Sequence, residues 1–265
     1  MPNWVMNKIM VGKKEYIDTI EKQYCAKREG KDCLDFDFNR IKKMPKELDI
    51  EFGSRSDAGI KLYMTKICPT TSYFGNKQDK VTKEEFSEIA KMVCHHSLNG
   101  DELVLKKDDV EEMKSQYADK LEDVMNLGKA QIDNIQKHGA MNWYEWSVKN
   151  WGTKWNANSY EKGEDGKSFF FETAWSPALP AILELSRQHP EMKFGYLYSD
   201  EEIGCRVGYA LIHDGNVDFE GSFDDQSPDA YRLAFDLWGC SDMYKWDEKK
   251  ETYIPIQEES EVCQY

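Results

Sequence analysis

Long apolar runs are what this chain most plainly lacks. None of its 265 residues belongs to a stretch approaching the roughly 18 apolar residues that a membrane-spanning helix needs, so no membrane segment is expected. The opening MPNWVMNKIMVG has no basic segment followed by an apolar run, and no secretory leader is expected either. Glycine and proline are sparse, at 17 and 8, which excludes collagen-like and Pro/Gly-rich classes. Cysteine pairs are missing. The seven cysteines, at 25, 33, 68, 94, 205, 240 and 263, are odd in number and contain no CxxC. That pattern argues against a disulfide framework or a zinc site and for free thiols in a reducing cytosol. Catalytic strings are absent as well: there is no GxSxG, P-loop, GxGxxG or HExxH. Positive charge is in deficit, with 35 Lys+Arg against 49 Asp+Glu and a net charge of -14. A surface of that sign opposes general affinity for a phosphate backbone.

What is present is aromatic and acidic. Eight Trp, 14 Tyr and 12 Phe supply ample material for a packed core and exclude low-complexity disorder. The acidity is uneven. Residues 201–265 hold 16 Asp+Glu against 5 Lys+Arg, a balance of -11, which leaves only -3 for the first 200.

Periodicity predicts the elements. Residues 3–12 read as a strand closed by Gly12, and 13–27 as a helix with Tyr16, Ile17, Ile20 and Tyr24 on one face. Residues 34–41 (LDFDFNRI) alternate as a half-buried strand, and Met44-Pro45 opens an extended segment. Thr82 and Glu85 form a capping box ahead of a helix over 82–93. Asn99-Gly100 is a turn. A long 3.6-residue period runs from 108 to 138 and ends at Gly139 as C-cap. Trp143 and Trp146 share a helix face, Gly152 ends that helix, and 153–158 continue as a strand. Residues 169–175 form a buried strand. Ser176-Pro177 starts a helix over 177–189, and 192–198 alternate again. Residues 205–221 make a hairpin turning at Asp214-Gly215-Asn216. Ser227-Pro228 caps a helix that ends at Gly239, and a polar tail follows from about 247.

The order β-α-β, β-α-β and hairpin predicts an α+β, ferredoxin-like antiparallel sheet with helices on one face. The expected organisation is a ferredoxin-like domain over 1–221, carrying a helical insertion at about 79–150 between its two βαβ halves. An acidic C-terminal extension would then occupy 222–265, so that a hairpin (205–221) and a helix end the chain's ordered part.

The densest constellation is the segment 142–158, with Trp143, Trp146, Trp151 and Trp155 inside 13 positions. Aromatics at helical spacing usually pack inward, which favours a core role. The competing role is an aromatic platform ringed by Asn142, Glu145, Asn150, Lys154 and Asn156, because indoles can anchor a partner or stack on a base. Trp175 joins that set. On the acidic side the candidates are Asp218, Glu220, Asp224 and Asp225. Glu145, Glu172 and Asp200 are the carboxylates a noncanonical catalytic site would need, with no spacing that pairs them. The run from Asp214 fails as a calcium loop, since Phe219 stands where the turn glycine belongs. Cys94-His95-His96 has no second ligand pair. The expectation is no catalytic residue, no metal and no cofactor.

Four stretches carry a resemblance: PNWVMNK at 2–8, DFNRIKKMPKEL at 37–48, NWYEWSVKNWGTKWNA at 142–157 and FETAWSPALPAILELS at 171–186. In content and order they resemble the YubB-type ferredoxin-like proteins of phages and plasmids, over most of residues 1–221. The chain departs from that pattern at Ala178, where a second proline is usual, and after 221. The resemblance implies a ferredoxin-like fold and residence on a mobile element, with no activity to carry over. The function expected is a non-enzymatic binding protein acting on a host macromolecule in the host cytoplasm. One version is anti-defence: an inhibitor of a host nuclease whose basic groove the acidic face occupies. The alternative is a single-stranded nucleic-acid module using an aromatic sheet surface, which the charge disfavours.

Overall fold

A computed structural model describes residues 3–27, 33–71, 74, 80–97 and 106–256. The chain divides into two compact units, one of residues 1–43 with 147–265 and the other of residues 44–146.

The first unit opens with β1 (Trp4–Val11), the strand expected over 3–12, and its side chains alternate. Val5, Asn7, Ile9 and Val11 are buried, while Met6, Lys8 and Met10 lie on the opposite face. In α1 (Lys14–Tyr24) the buried residues Ile17, Ile20 and Tyr24 form one stripe. The strand expected over 34–41 is corrected. β2 (Cys25–Lys27) and β3 (Leu34–Phe36) pair only with each other, and α2 (Phe38–Ile41) follows at once. Asp37 is the reason: its carboxylate accepts from the Asn39 N–H at 3.0 Å and caps a helical turn. Phe36 and Phe38 are both buried because the chain turns between them.

The helical unit comprises α3 (Ser54–Ile67), α4 (Lys83–Ser97), α5 (Lys107–Gln116), α6 (Leu121–His138) and the start of α7 (Trp143–Trp151). The extended segment expected after Pro45 gives way to a 3-10 turn at Lys46–Leu48 and then to α3. The Thr82–Glu85 capping box forms in both directions, Thr82 N–H to Glu85 at 2.9 Å and Glu85 N–H to Thr82 at 3.2 Å. The long period over 108–138 breaks at Tyr117, where a 3-10 turn (Ala118–Lys120) separates α5 from α6. Gly139 ends α6 in the left-handed region (φ 66°). The Asn99-Gly100 turn lies outside the described residues. α3 and α6 meet backbone to backbone at two glycines. A Cβ on Gly59 would fall 2.3 Å from the Val124 carbonyl oxygen, and one on Gly128 would fall 2.1 Å from the Gly59 carbonyl carbon.

The chain then completes the first unit with β4 (Asn158–Lys162), β5 (Ser168–Ala174), α8 (Leu179–Gln188), β6 (Lys193–Asp200), β7 (Gly208–His213), β8 (Asn216–Ser222), α9 (Pro228–Trp238), and a small hairpin of β9 (Tyr244–Asp247) and β10 (Thr252–Pro255). Two boundaries move. The strand expected over 153–158 begins only at Asn158. The helix expected from Pro177 begins at Leu179, with Pro180 in its first turn, because the Ser176 hydroxyl binds elsewhere. The Asp214–Asn216 hairpin forms as read, and Ser227 caps α9 through the Ala230 N–H.

The six main strands run in the order β4-β5-β1-β6-β7-β8, every neighbouring pair antiparallel. β1 therefore lies between β5 and β6, and β5-α8-β6 is a split βαβ unit. β4 returns on the far side of β5, parallel to β1, and closes a second split unit that begins β1-α1. Two interleaved split units are the ferredoxin-like arrangement. The return strand of the first is β4, so the 103 residues 44–146 are inserted inside that unit, ahead of its last strand.

The two faces of the sheet are covered differently. On the face of Ile9, Phe169 and Tyr196, the aromatic rings of Phe36, Phe38, Phe169 and Phe171 interlock at 5.0–5.9 Å. Tyr24 of α1 reaches Gln188 of α8 on the same side. Register places Lys8, Phe170, Leu197 and Tyr209 on the other face. There Tyr209 meets Phe223, which packs with Val207, Ala230 and Ala234, so α9 covers this face at the end where Ser199 is buried. Among the described residues no helix is long and apolar enough to cross a membrane.

The α3–α6 contact predicts an inversion of helix propensity. Gly128→Ala should strengthen an isolated α6 by about 1 kcal/mol. In the folded protein it should instead cost about 1–3 kcal/mol, because the methyl meets backbone that cannot move aside. Urea denaturation should show a lower midpoint; a raised midpoint would refute the packing.

Candidate functional site

The site is built outward from a buried asparagine. Asn7 sits in the middle of β1 with no exposure, and an amide there must find partners on every side. Its Nδ2 donates to the carbonyls of Val5 (2.9 Å) and Phe171 (3.3 Å) and to Thr173 Oγ1 (2.9 Å). Its Oδ1 accepts from the Tyr196 hydroxyl at 2.6 Å. Each partner passes the chain onward. Thr173 donates to the Ser176 carbonyl at 2.8 Å, and the Tyr196 hydroxyl accepts from the Ala178 N–H at 2.8 Å. Burial pushes the Tyr196 phenol well up from its ordinary pKa, so it stays protonated and able to donate. Both legs of the turn 174–178 are thereby tied to β1.

Two further bonds stitch this turn to the segment after α7. Buried Thr153 donates to the Ala174 carbonyl at 2.7 Å, and Ser176 donates to the Gly152 carbonyl at 2.6 Å. The result is two short loops, 152–155 and 174–176, held side by side. Trp175 projects from the second. It is 54% exposed and has φ 77°, a conformation that costs a bulky side chain. Its N–H binds the Asn3 carbonyl at 2.8 Å and its carbonyl accepts from Arg206 Nη1 at 3.4 Å. Trp155, 40% exposed, projects from the first loop. Between the indoles lies the Lys154 ammonium, 4.9 Å from the Trp155 ring centre and 5.3 Å from that of Trp175.

Arg206 closes the rim. Its guanidinium pairs with the carboxylate of Asp200, which is 1% exposed, and its backbone N–H binds Asp225 Oδ1 at 2.8 Å. The field around it is negative: burial first, then Glu202, Asp225 and Asp200, raise the pKa of the neighbouring Cys205 thiol.

The predicted residues separate cleanly. Lys154, Trp155, Trp175 and Asp225 come together. Trp146 and Trp151 are core, at 5% and 4% exposure, and the Trp151 indole N–H donates to the Lys42 carbonyl at 3.0 Å. Trp143 packs edge-on to Phe52 and Tyr144 in the helical unit. Asn150 is half-buried on α7. Asn156 is architectural: it accepts from the Phe38 N–H at 2.7 Å and donates to Asp37 at 2.7 Å. Asp218 and Glu220 lie on the edge strand β8, where charge discourages pairing with another sheet. Asp224 is exposed in the loop before α9.

The carboxylate trio does not assemble. Glu172 opposes Met6 and Asp200 opposes Val5, so they occupy opposite faces of the sheet, while Glu145 pairs with His96 in the helical unit. Among the described residues no group of three or more His, Cys, Asp or Glu is placed to hold a metal ion. Sequence reasoning missed Arg206. The available signal was its isolation, as the one Lys or Arg between Lys193 and Arg232 in a stretch with nine carboxylates.

The two interleaved split units make this a ferredoxin-like α+β domain. Residues 150–255 match the family model described as the ferredoxin-like domain in Api92-like protein. The crystal structure of a protein api92 from Yersinia pseudotuberculosis is similar at 10% sequence identity and a TM-score of 0.33, covering 84% of this chain and 99% of that one. No curated protein matches the chain in sequence.

Trp175 yields a test of strain. At an ordinary exposed position alanine is at least as stable as glycine. Here Trp175→Gly should be more stable than Trp175→Ala by about 1 kcal/mol, since only glycine enters this region freely. Paired urea titrations check the order, and alanine above glycine would remove the strain.

Proposed function

We propose that this protein is a non-enzymatic binding protein that docks on a protein partner through the Lys154–Trp155–Trp175 surface. The observation that carries the reading is Trp175. A large indole that is more than half exposed gains little from burial, yet its backbone is kept strained by bonds on both sides. Cost without internal benefit is characteristic of functional positions. Paired exposed tryptophans are the residue type that dominates binding energies at interfaces. The carboxylates around Arg206 favour a basic partner.

The sequence resemblance to YubB-type proteins supports residence on a phage or plasmid, and action on a host macromolecule in the host cytoplasm is part of the proposal. In that setting a defence nuclease with a basic groove is the partner class that the acidic rim suits, and inhibition is the outcome of occupying the groove. A second reading is a single-stranded nucleic-acid module, with Trp155 and Trp175 stacking on bases beside Lys154. The aromatic exposure favours it and the surrounding carboxylates oppose it.

The test is affinity capture from host lysate with the wild type and the Trp155→Ala/Trp175→Ala double variant, followed by titration of the captured protein. Loss of two interface anchors should weaken binding by at least about thirtyfold. Raising salt from roughly 0.1 to 0.5 M should weaken it further. Equal capture by both forms would refute the reading. A labelled single-stranded oligonucleotide shifted by the wild type and not by the double variant would put the second reading in its place.

A further inference from the structure

We infer that the Trp155–Trp175 pair is a cation site that Lys154 occupies in cis, and that an arginine side chain of a protein partner takes the site over from it. The inference rests on the docking reading above and specifies what the surface recognises.

The geometry begins with the ammonium. One nitrogen lies 4.9 Å and 5.3 Å from two indole centres, within the roughly 6 Å over which a ring face attracts a cation. Both rings are on loops whose backbones are fixed by the Thr153–Ala174 and Ser176–Gly152 bonds. The backbones that carry the two rings are therefore set by the fold, and the ammonium that faces them sits at the end of a flexible lysine stem. Lys154 is well suited to yield. Its ammonium is compact and strongly hydrated, and its four-carbon stem is flexible, so water compensates it on leaving. A guanidinium is planar and more weakly hydrated, and it stacks on indole faces. Exchange of ammonium for guanidinium thus moves the better-hydrated ion to solvent and the better-stacking ion to the rings.

The surroundings select the same sign. Arg206 does not compete for the slot, because its guanidinium is committed to buried Asp200 and to the Trp175 carbonyl. Asp225 accepts from the Arg206 N–H at 2.8 Å. Exposed Glu201 and Glu202 follow Asp200 in the chain. A neutral apolar ligand would use the rings and waste the carboxylates. An anionic ligand would be repelled by them. An arginine-bearing segment uses both, since a fork of N–H donors can engage a carboxylate while its plane lies on an indole.

The experiment needs no partner. Indole Nε1–H signals of Trp155 and Trp175, assigned by Trp→Phe variants, are followed by two-dimensional NMR while a hexa-arginine peptide is titrated into the full chain. Hexalysine and hexaglutamate serve as comparators. In the wild type, hexa-arginine should shift both signals saturably, hexalysine more weakly and hexaglutamate not at all. Lys154→Met removes the internal competitor and should tighten hexa-arginine binding by about fivefold, the equivalent of about 1 kcal/mol. Trp155→Leu should weaken it more than tenfold. Hexa-arginine that leaves both signals unmoved, or Lys154→Met that binds it no better than the wild type, would overturn the inference, and so would hexaglutamate acting equally well. Its failure is separable from that of the docking reading. A partner captured through the tryptophans whose indoles ignore arginine defeats this inference alone, whereas capture indifferent to the tryptophans defeats the reading beneath it.

Discussion

The constraint on which the rest depends is that the Asn7 amide, placed at the centre of a six-stranded sheet, must be fully hydrogen-bonded. Water does not reach it, and a buried amide left unpaired would cost about 1–3 kcal/mol. The fold answers with a relay: Thr173 on one neighbouring strand, Tyr196 on the other, and through them the Ser176 carbonyl and the Ala178 N–H. Because every member is satisfied, the network specifies one geometry for the turn between β5 and α8. That turn carries Trp175. The backbone that carries the most exposed indole is thus tied to an asparagine 168 positions away in the chain. The Ser176 hydroxyl, which sequence rules assign to capping a helix, is spent instead on the Gly152 carbonyl, and this is why α8 starts two residues late.

The sheet also explains how the chain carries a helical unit inside a split βαβ unit. β4 is an edge strand that pairs with β5 alone. Its position depends on β5 and on bonds from the β2–β3 ribbon side, such as Ser159 N–H to Asp35 at 3.1 Å. Nothing in that pairing requires a short connection, and a long detour adds loop-closure entropy only logarithmically. The detour has its own core, around Ile60, Met64, Val93, Ile132 and Ile135, so it brings its own stabilisation.

Much of this was legible in the sequence, and the failures have specific causes. Alternation disclosed β6, Gly12 closed β1, a continuous apolar run disclosed β5, and the capping box and terminal glycines marked α4, α6 and α9, because each of those signals is local. The helix α3 escaped notice. It is buried on several sides, so only a narrow polar edge at Ser54, Asp57 and Lys61 marks its period. The segment 34–41 alternates in letters, yet Asp37 converts its second half into a helix; alternation cannot distinguish a buried strand from a capped turn that buries two phenylalanines. The tryptophan-rich segment divided in a way its spacing could not announce. Trp146 and Trp151 fall on the buried side of one helix, whereas Trp155 lies past Gly152, where helical periodicity no longer applies. Arg206 is a long-range case: its role rests on Asp200 and on the Trp175 carbonyl 31 positions away.

The acidity takes on a narrower meaning in this light. Of the four acidic candidates, Asp218 and Glu220 protect an edge strand, and Asp225 alone reaches the Arg206 backbone beside the indole pair. Net charge over the last 65 residues is therefore a poor guide to the surface, because charges on β8 and beside Trp175 serve different ends. What matters at the indoles is the local order of commitments. Asp200 is buried and would be untenable without Arg206. Arg206, once committed to it, no longer screens the carboxylates nearby. Lys154 is the cation that faces both rings. The negative charge that a sequence count attributes to the whole C-terminal quarter acts at this place beside one ion pair, whose carboxylate is buried and whose guanidinium is exposed.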